Sequence, residues 1–123
     1  MIPEKLREVL AHEGVVAICT QGKEGPHLSN TWNSYVQITA DGRLLIPAGF
    51  MHRTEANVAF RPEVLLTAGS REVQGQRGPG TGFLVQGTAS FAGSGPDFDA
   101  VKARFPWARA ALAVVVTSAT QTL

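Results

Sequence analysis

The chain has one cysteine, Cys19, in 123 residues, which excludes an internal disulfide and any multi-cysteine metal or cluster site. That economy points to a reducing, cytoplasmic compartment. No apolar run reaches the ~18 residues a membrane-spanning helix needs, and Met1-Ile2-Pro3-Glu4-Lys5 is no signal-peptide core. Charge of one sign is also missing. Eleven basic against ten acidic residues leave +1, which offers no electrostatic funnel to nucleic acid. The three histidines, His12, His27 and His52, lack metal-ligand spacing, and no Gly-x-Ser-x-Gly is present. Hydrolase and metalloenzyme readings therefore lose ground. With 44% hydrophobic and 17% charged residues, the chain is neither a disordered tail nor a membrane protein. Surface scaling leaves roughly 6,400 Å² exposed of an unfolded ~19,000 Å². A single domain over 1–123 therefore buries a core without staples.

Turn residues are plentiful, with 13 Gly and 7 Pro. Pro3 followed by Leu6, Val9 and Leu10 predicts a short amphipathic helix stopped at Gly14. Strands are expected at Val15–Thr20, His27–Thr39, Leu44–Pro47, Val64–Thr67, Phe83–Phe91 and Ala113–Thr117. Asp41-Gly42 marks a hairpin, and Pro47 is expected to end its ladder or lie on an edge. Helices fall between Gly49 and Phe60 and after Gly95-Pro96, and Gly75–Gly82 is expected to be a loop. Six strands with hairpin spacing and inserted helices predict a mainly β fold, a small antiparallel barrel with short helices.

Three segments carry chemistry. In the second strand Leu28, Asn30, Trp32, Ser34 and Val36 share one face, and Ser29, Thr31, Asn33 and Tyr35 the other. Asn is disfavoured in strands, so Asn30 and Asn33 around Thr31-Trp32 either read the carbonyls and N–H groups of a flat heterocycle or form the wet side of a sheet edge. Gly49-Phe50-Met51-His52-Arg53-Thr54 brings a glycine, a cation and a hydroxyl to a helix start. That combination suits a terminal phosphate, or it is an ordinary capped helix with Arg53 in solvent. Trp107, after Pro106, packs in the core or walls a flat ligand, and sequence alone favours the core. Gly78-Pro79-Gly80-Thr81-Gly82 looks like a phosphate loop, but it precedes a strand and no Lys-Ser/Thr pair follows. Cys19, mid-strand, is expected to be an inert buried thiol. Leu123 closes a polar Thr-Gln-Thr stretch, for which a frayed tail is the default.

These residues also carry a likeness. Asn30-Thr31-Trp32-Asn33-Ser34-Tyr35, Met51-His52-Arg53-Thr54-Glu55-Ala56-Asn57-Val58, Gly78-Pro79-Gly80-Thr81-Gly82-Phe83-Leu84 and Trp107-Ala108-Arg109-Ala110-Ala111-Leu112 resemble the small bacterial FMN-binding proteins of the pyridoxamine 5′-phosphate oxidase-like group. The resemblance extends over nearly the whole chain. It implies a six-stranded antiparallel split β-barrel with short peripheral helices, a homodimer, and FMN held non-covalently near the subunit interface. By position, Arg53 and Thr54 would bind the phosphate, and Asn30, Thr31 and Trp32 would line the flavin. Pro47, Ala48 and Gly49 would give backbone contacts, Tyr35 and Trp107 would be the nearby aromatics, and Leu123 would cover the flavin of the partner subunit. Two positions depart from the group: Arg53 stands where it has lysine, keeping the charge, and Phe50 where it has glycine.

The function so implied is electron transfer by a bound flavin to a redox partner, with Glu13 a candidate for tuning its potential. The alternative is a flavin reductase or oxidase of the same fold, acting on a small substrate. A haem barrel, with His52 as ligand, and a nucleic-acid barrel are the readings from other classes.

Overall fold

The computed structural model describes residues 2–123. Helix α1 (Glu4–Leu10) leads into the hairpin β1 (Val15–Gly22) and β2 (Gly25–Trp32). A 3-10 turn (Asn33–Tyr35) follows, then β3 (Gln37–Ile38), β4 (Arg43–Ala48) and α2 (His52–Phe60). The long strands β5 (Glu63–Gln74) and β6 (Pro79–Ala92), helix α3 (Pro96–Arg104) and β7 (Ala110–Gln121) complete the chain. All pairings are antiparallel, in the order β2-β1-β5-β6-β7-β4-β3.

That order explains the barrel. The two ends of the sheet, β2 and β3, are halves of one chain segment, so the sheet curls until its first and last strands are continuous. The expected His27–Thr39 strand is therefore two, and the count rises from six to seven. Asn33 breaks it. This residue is fully buried, and its backbone N–H donates to Gly14 O at 2.9 Å. Its Nδ2 lies 3.1, 2.9 and 3.1 Å from the carbonyls of Val9, His12 and Gly69. The amide meets the last turn of α1 at Val9 O and the chain just beyond it at His12 O, where the helix stops at Leu10, short of the glycine expected to stop it. Gly14 permits this approach, since a Cβ there would lie 2.8 Å from Asn33 Nδ2.

Alternation supplies the barrel interior. Val16, Ile18, Leu44, Ile46, Val64, Leu66, Phe83, Val85, Leu112 and Val114 point inward and are buried, together with Leu6 and Val9 of α1. Outside, Val101 and Phe105 of the α3 region pack on Leu45, Ala111 and Ala113. The exposed area is 6667 Å², close to the scaling expectation.

Two further expectations are corrected. The glycine-rich loop shrinks to residues 75–78, because Ser70 pairs with Thr81 and Gln74 with Pro79. Gly80, at φ 100°, absorbs the local irregularity of that arm. The C-terminal stretch is not frayed: β7 continues to Gln121, where it pairs with Phe83. Thr122 N then donates to Gly82 O. The Leu123 carbonyl accepts from Gln76 N at 2.9 Å and Thr81 Oγ1 at 3.1 Å. Pro47 lies inside the β4 ladder opposite Ala111. It is tolerated because β3 covers only Leu44 and Leu45, which leaves the far side of Ile46–Ala48 without a strand. Among the described residues no helix is long and apolar enough to cross a membrane, and no three His, Cys, Asp or Glu gather as a metal site.

Candidate functional site

The barrel's closing seam is open where β2 and the end of β4 both present free edges. A cleft of about 640 Å³ occupies it, within the usual range for small-molecule sites. His27, Ser29, Asn30, Thr31 and Trp32 line it from β2, and Tyr35 from the 3-10 turn. The other side is Pro47, Gly49, Phe50 and Met51, with His52 and Arg53 of α2 and Trp107.

The register assigns the edge chemistry. Asn33 bonds to Gly14, so Thr31 with Val16 and Ser29 with Ile18 form the hydrogen-bonded pairs of the β1–β2 ladder. Asn30 and Trp32 then direct their main-chain N–H and C=O away from β1, to the open edge. Such an edge matches the donor and acceptor rim of a flat heterocycle.

At the other end, α2 starts without a side-chain cap among the described residues. Its first intrahelical bond is Glu55 N to Met51 O at 2.9 Å, so the preceding amides of the first turn suit an anion. Met51 enters the helix in the left-handed region at φ 64°. This is the one non-glycine positive φ among the described residues, and such backbone costs about 1–3 kcal/mol. Arg53 extends beside the helix start, where its Nη2 lies 3.5 Å from Glu24 Oε1. The pair is half-exposed, so it holds Arg53 weakly. Thr54 is fully buried behind this corner, and its Oγ1 shares a hydrogen bond with Ser29 Oγ at 3.2 Å.

The aromatic wall is a three-ring cluster. Tyr35 and Phe105 are 4.8 Å apart, Tyr35 and Trp107 5.9 Å, and Phe105 and Trp107 5.6 Å, all tilted. Trp107 is not in the core that sequence alone favoured. It is 53% exposed and faces Gly49, where an added Cβ would sit 3.2 Å from its ring.

Of the residues singled out from sequence, Asn30, Thr31, Trp32, Tyr35, Pro47, Gly49, Arg53 and Trp107 meet at this cleft. Ala48 is buried beneath it and Thr54 stands one layer behind. Leu123 lies elsewhere, in a second depression of about 710 Å³ with Glu13, Gly69, Ser70 and Thr81. Glu13 there accepts from Ser34 Oγ at 2.8 Å and from Gly14 N at 3.1 Å. The Ser34 hydroxyl, followed by that amide, holds its carboxyl below the ordinary range. His27, Ser29, Phe50, Met51 and His52 also line the cleft; the Gly49–Thr54 run and the Phe50 departure were marked in the sequence, but none of the five was assigned to the flavin. Two of them, His27 and Ser29, were accessible by counting back in twos from Thr31. Phe50, 86% exposed at the mouth, leaves the cleft open.

This arrangement defines the class: a split barrel whose seam forms a ligand cleft. The chain belongs to the pyridoxamine 5'-phosphate oxidase family, which it matches over residues 2–121. It is 58% identical, over the whole of both chains, to a protein of Nitratidesulfovibrio vulgaris (strain DSM 19637 / Miyazaki F) named FMN-binding protein. The fold is similar to HupZ of Group A Streptococcus, with a TM-score of 0.81 at 15% identity over 98% of this chain and 94% of that one. It is also similar to an FMN-binding protein from Syntrophomonas wolfei, with a TM-score of 0.74 at 14% identity over 98% and 85%.

Proposed function

We propose that this chain binds FMN non-covalently in the seam cleft and acts as a small electron-transfer protein. One observation carries the reading: a single cleft joins an open strand edge and aromatic walls to an uncapped helix start with Arg53. A ligand with a flat hydrogen-bonding ring and a terminal phosphate matches both ends, and the name of the 58% identical relative agrees. Asn30, Thr31 and Trp32 line the ring, and Pro47 and Gly49 offer backbone along its other side, with Ala48, whose carbonyl accepts from Arg109 N, as the buried support between them. Arg53 and the first-turn amides of α2 hold the phosphate, with the Thr54 and Ser29 hydroxyls behind them. Tyr35 and Trp107 are the adjacent aromatics. When bound, FMN supplies the reversible electron transfer, and the protein supplies binding, access and electrostatics.

The alternative is a reductase or oxidase of the same fold, in which His27 or His52 of the lining would be the group to meet a small substrate. The homodimer belongs to the same proposal. Leu123 and Glu13 lie outside the chain's own cleft, so Leu123 covers a flavin only if a second copy brings one. The outward face of β2, β1 and β5 suits that contact, since Leu28, Val15 and Leu65 are exposed on it. The single cysteine supports a cytoplasmic setting.

The test is the visible spectrum of the purified protein, with mass spectrometry of the released chromophore. Oxidised-flavin bands and the mass of FMN are expected. A colourless protein that takes up no added FMN overturns the reading. Steady oxidation of NAD(P)H by the flavin-loaded protein replaces the carrier with a reductase.

A further inference from the structure

We propose that Arg109 is a positioning residue that holds the phosphate-binding turn in shape, an inference that rests on the FMN reading above. Arg109 sits just before β7, and its backbone N–H donates to Ala48 O at 2.9 Å. Its side chain then reaches over the turn between β4 and α2. Nε lies 3.1 Å from the carbonyls of both Gly49 and Phe50, and Nη2 donates to Phe50 O at 2.7 Å. On the far side Nη1 pairs with Glu55 Oε1 at 2.9 Å.

One guanidinium therefore ties the two carbonyls before the helix to a carboxylate in its first turn. Arg53 and Thr54 lie inside that bracket, and so does Met51, whose left-handed backbone is unfavourable for a side-chain-bearing residue. Charge-assisted bonds in a fixed fork suit this task, which a lysine cannot reproduce because it offers a single point charge. The guanidinium does not itself line the cleft. Its effect on the ligand passes through the turn, which makes it a positioning group and not a contact. The consequence is specific: the side chain acts chiefly at the phosphate end, where it brackets Gly49 to Glu55; on the ring side it reaches only the Gly49 carbonyl, and the strand edge of β2 across the ring is beyond it.

FMN and riboflavin, which lacks the phosphate, separate these two ends. Dissociation constants for both are measured by quenching of flavin fluorescence on apo wild type, Arg109→Lys and Arg109→Met, with the thermal melt of each apoprotein. The expected result is an FMN constant raised about tenfold or more in both variants, equivalent to about 1.4 kcal/mol, with riboflavin changed about twofold or less. In a Met51→Gly background the loss from Arg109→Met shrinks, since glycine adopts that turn without help. An unchanged FMN constant in both variants overturns the inference. So does an equal loss for FMN and riboflavin that tracks a lowered apoprotein melt, which is a purely structural role. If the wild type binds neither ligand, the FMN reading itself has failed.

Discussion

Replacing Asn33 with alanine removes the clasp that turns one strand into two and closes the barrel. The Nδ2 group shares its two protons among three carbonyls, one on α1, one just after it and one on β5. Its own Oδ1 is buried without a partner among the described residues. Val9 O keeps its bond from His12 N, so the loss falls on the carbonyls of His12 and Gly69, at about 1–3 kcal/mol for each acceptor left unpaired. Loss of the orphaned Oδ1 returns part of that, and solvent reaching the part-buried carbonyls returns more. The net loss is about 2–4 kcal/mol, a large share of the ~5–15 kcal/mol that holds a domain of this size together. For a chain of this length the melting temperature should fall by about 10 °C. Far-UV circular dichroism on heating, with urea unfolding alongside, measures it. Asn33→Asp should be worse, because a carboxylate cannot donate to three carbonyls. Asn30→Ala, on the exposed side of the same segment, should shift the melt by less than about 2 °C. If Asn33→Ala melts within about 3 °C of wild type, the amide does not hold the segment and the explanation of the seventh strand is wrong.

Other consequences are equally concrete. Arg53→Gln should raise the FMN dissociation constant by about ten- to a hundredfold, as expected for a lost charged hydrogen bond, and leave riboflavin nearly unaffected; a rise below threefold would place the phosphate elsewhere. Gly87→Ala should cost about 2–3 kcal/mol by overpacking, because its Cβ would lie 2.5 Å from Val114 Cγ1 and 2.6 Å from Val115 O at the β6–β7 irregularity. Denaturant titration reads that loss, and an unchanged midpoint refutes it. Asp97 accepts a forked pair of bonds from Arg43 at 2.7 and 3.1 Å, which holds its carboxyl below the ordinary value of 3.8. Its stabilisation is thus complete above that value and is lost as the pH falls through the lower, folded one. Asp97→Asn should melt below wild type at pH 7, with the gap closing as the pH drops under 3.8; a gap that persists in acid contradicts the ion-pair account.

Much of this protein is local, and for that reason legible from sequence. The apolar runs of β1 and β6, the Asp41-Gly42 turn and the helix between Gly49 and Phe60 depend on neighbours a few residues away, and the elements appear where those signals lie. The residues at both ends of the cleft were also marked, since asparagines in a strand and a glycine-cation-hydroxyl run at a helix start suit a ligand as well as they suit a sheet edge and an ordinary helix cap, and the family resemblance tipped both towards the ligand. Pairing partners were not legible. Asn30 and Asn33 are the same residue type three positions apart. Only the meeting of Gly14, Gly69 and α1 around one of them buries Asn33 as a brace, while Asn30 stays at the cleft. Trp107 read as core because nothing local shows that Gly49, 58 positions earlier in the chain, lies against its ring. The Thr120–Leu123 end read as a frayed tail because Phe83, which pairs with Gln121, lies 38 positions earlier in the chain. The Arg109 clasp has no sequence signature at all. Periodicity and turn chemistry act over one turn or one strand, so sequence by itself determined the elements and the chemical types at the site. Burial, edge exposure and hydrogen-bond partners depend on which distant segments the barrel brings together, and only the tertiary structure decided them.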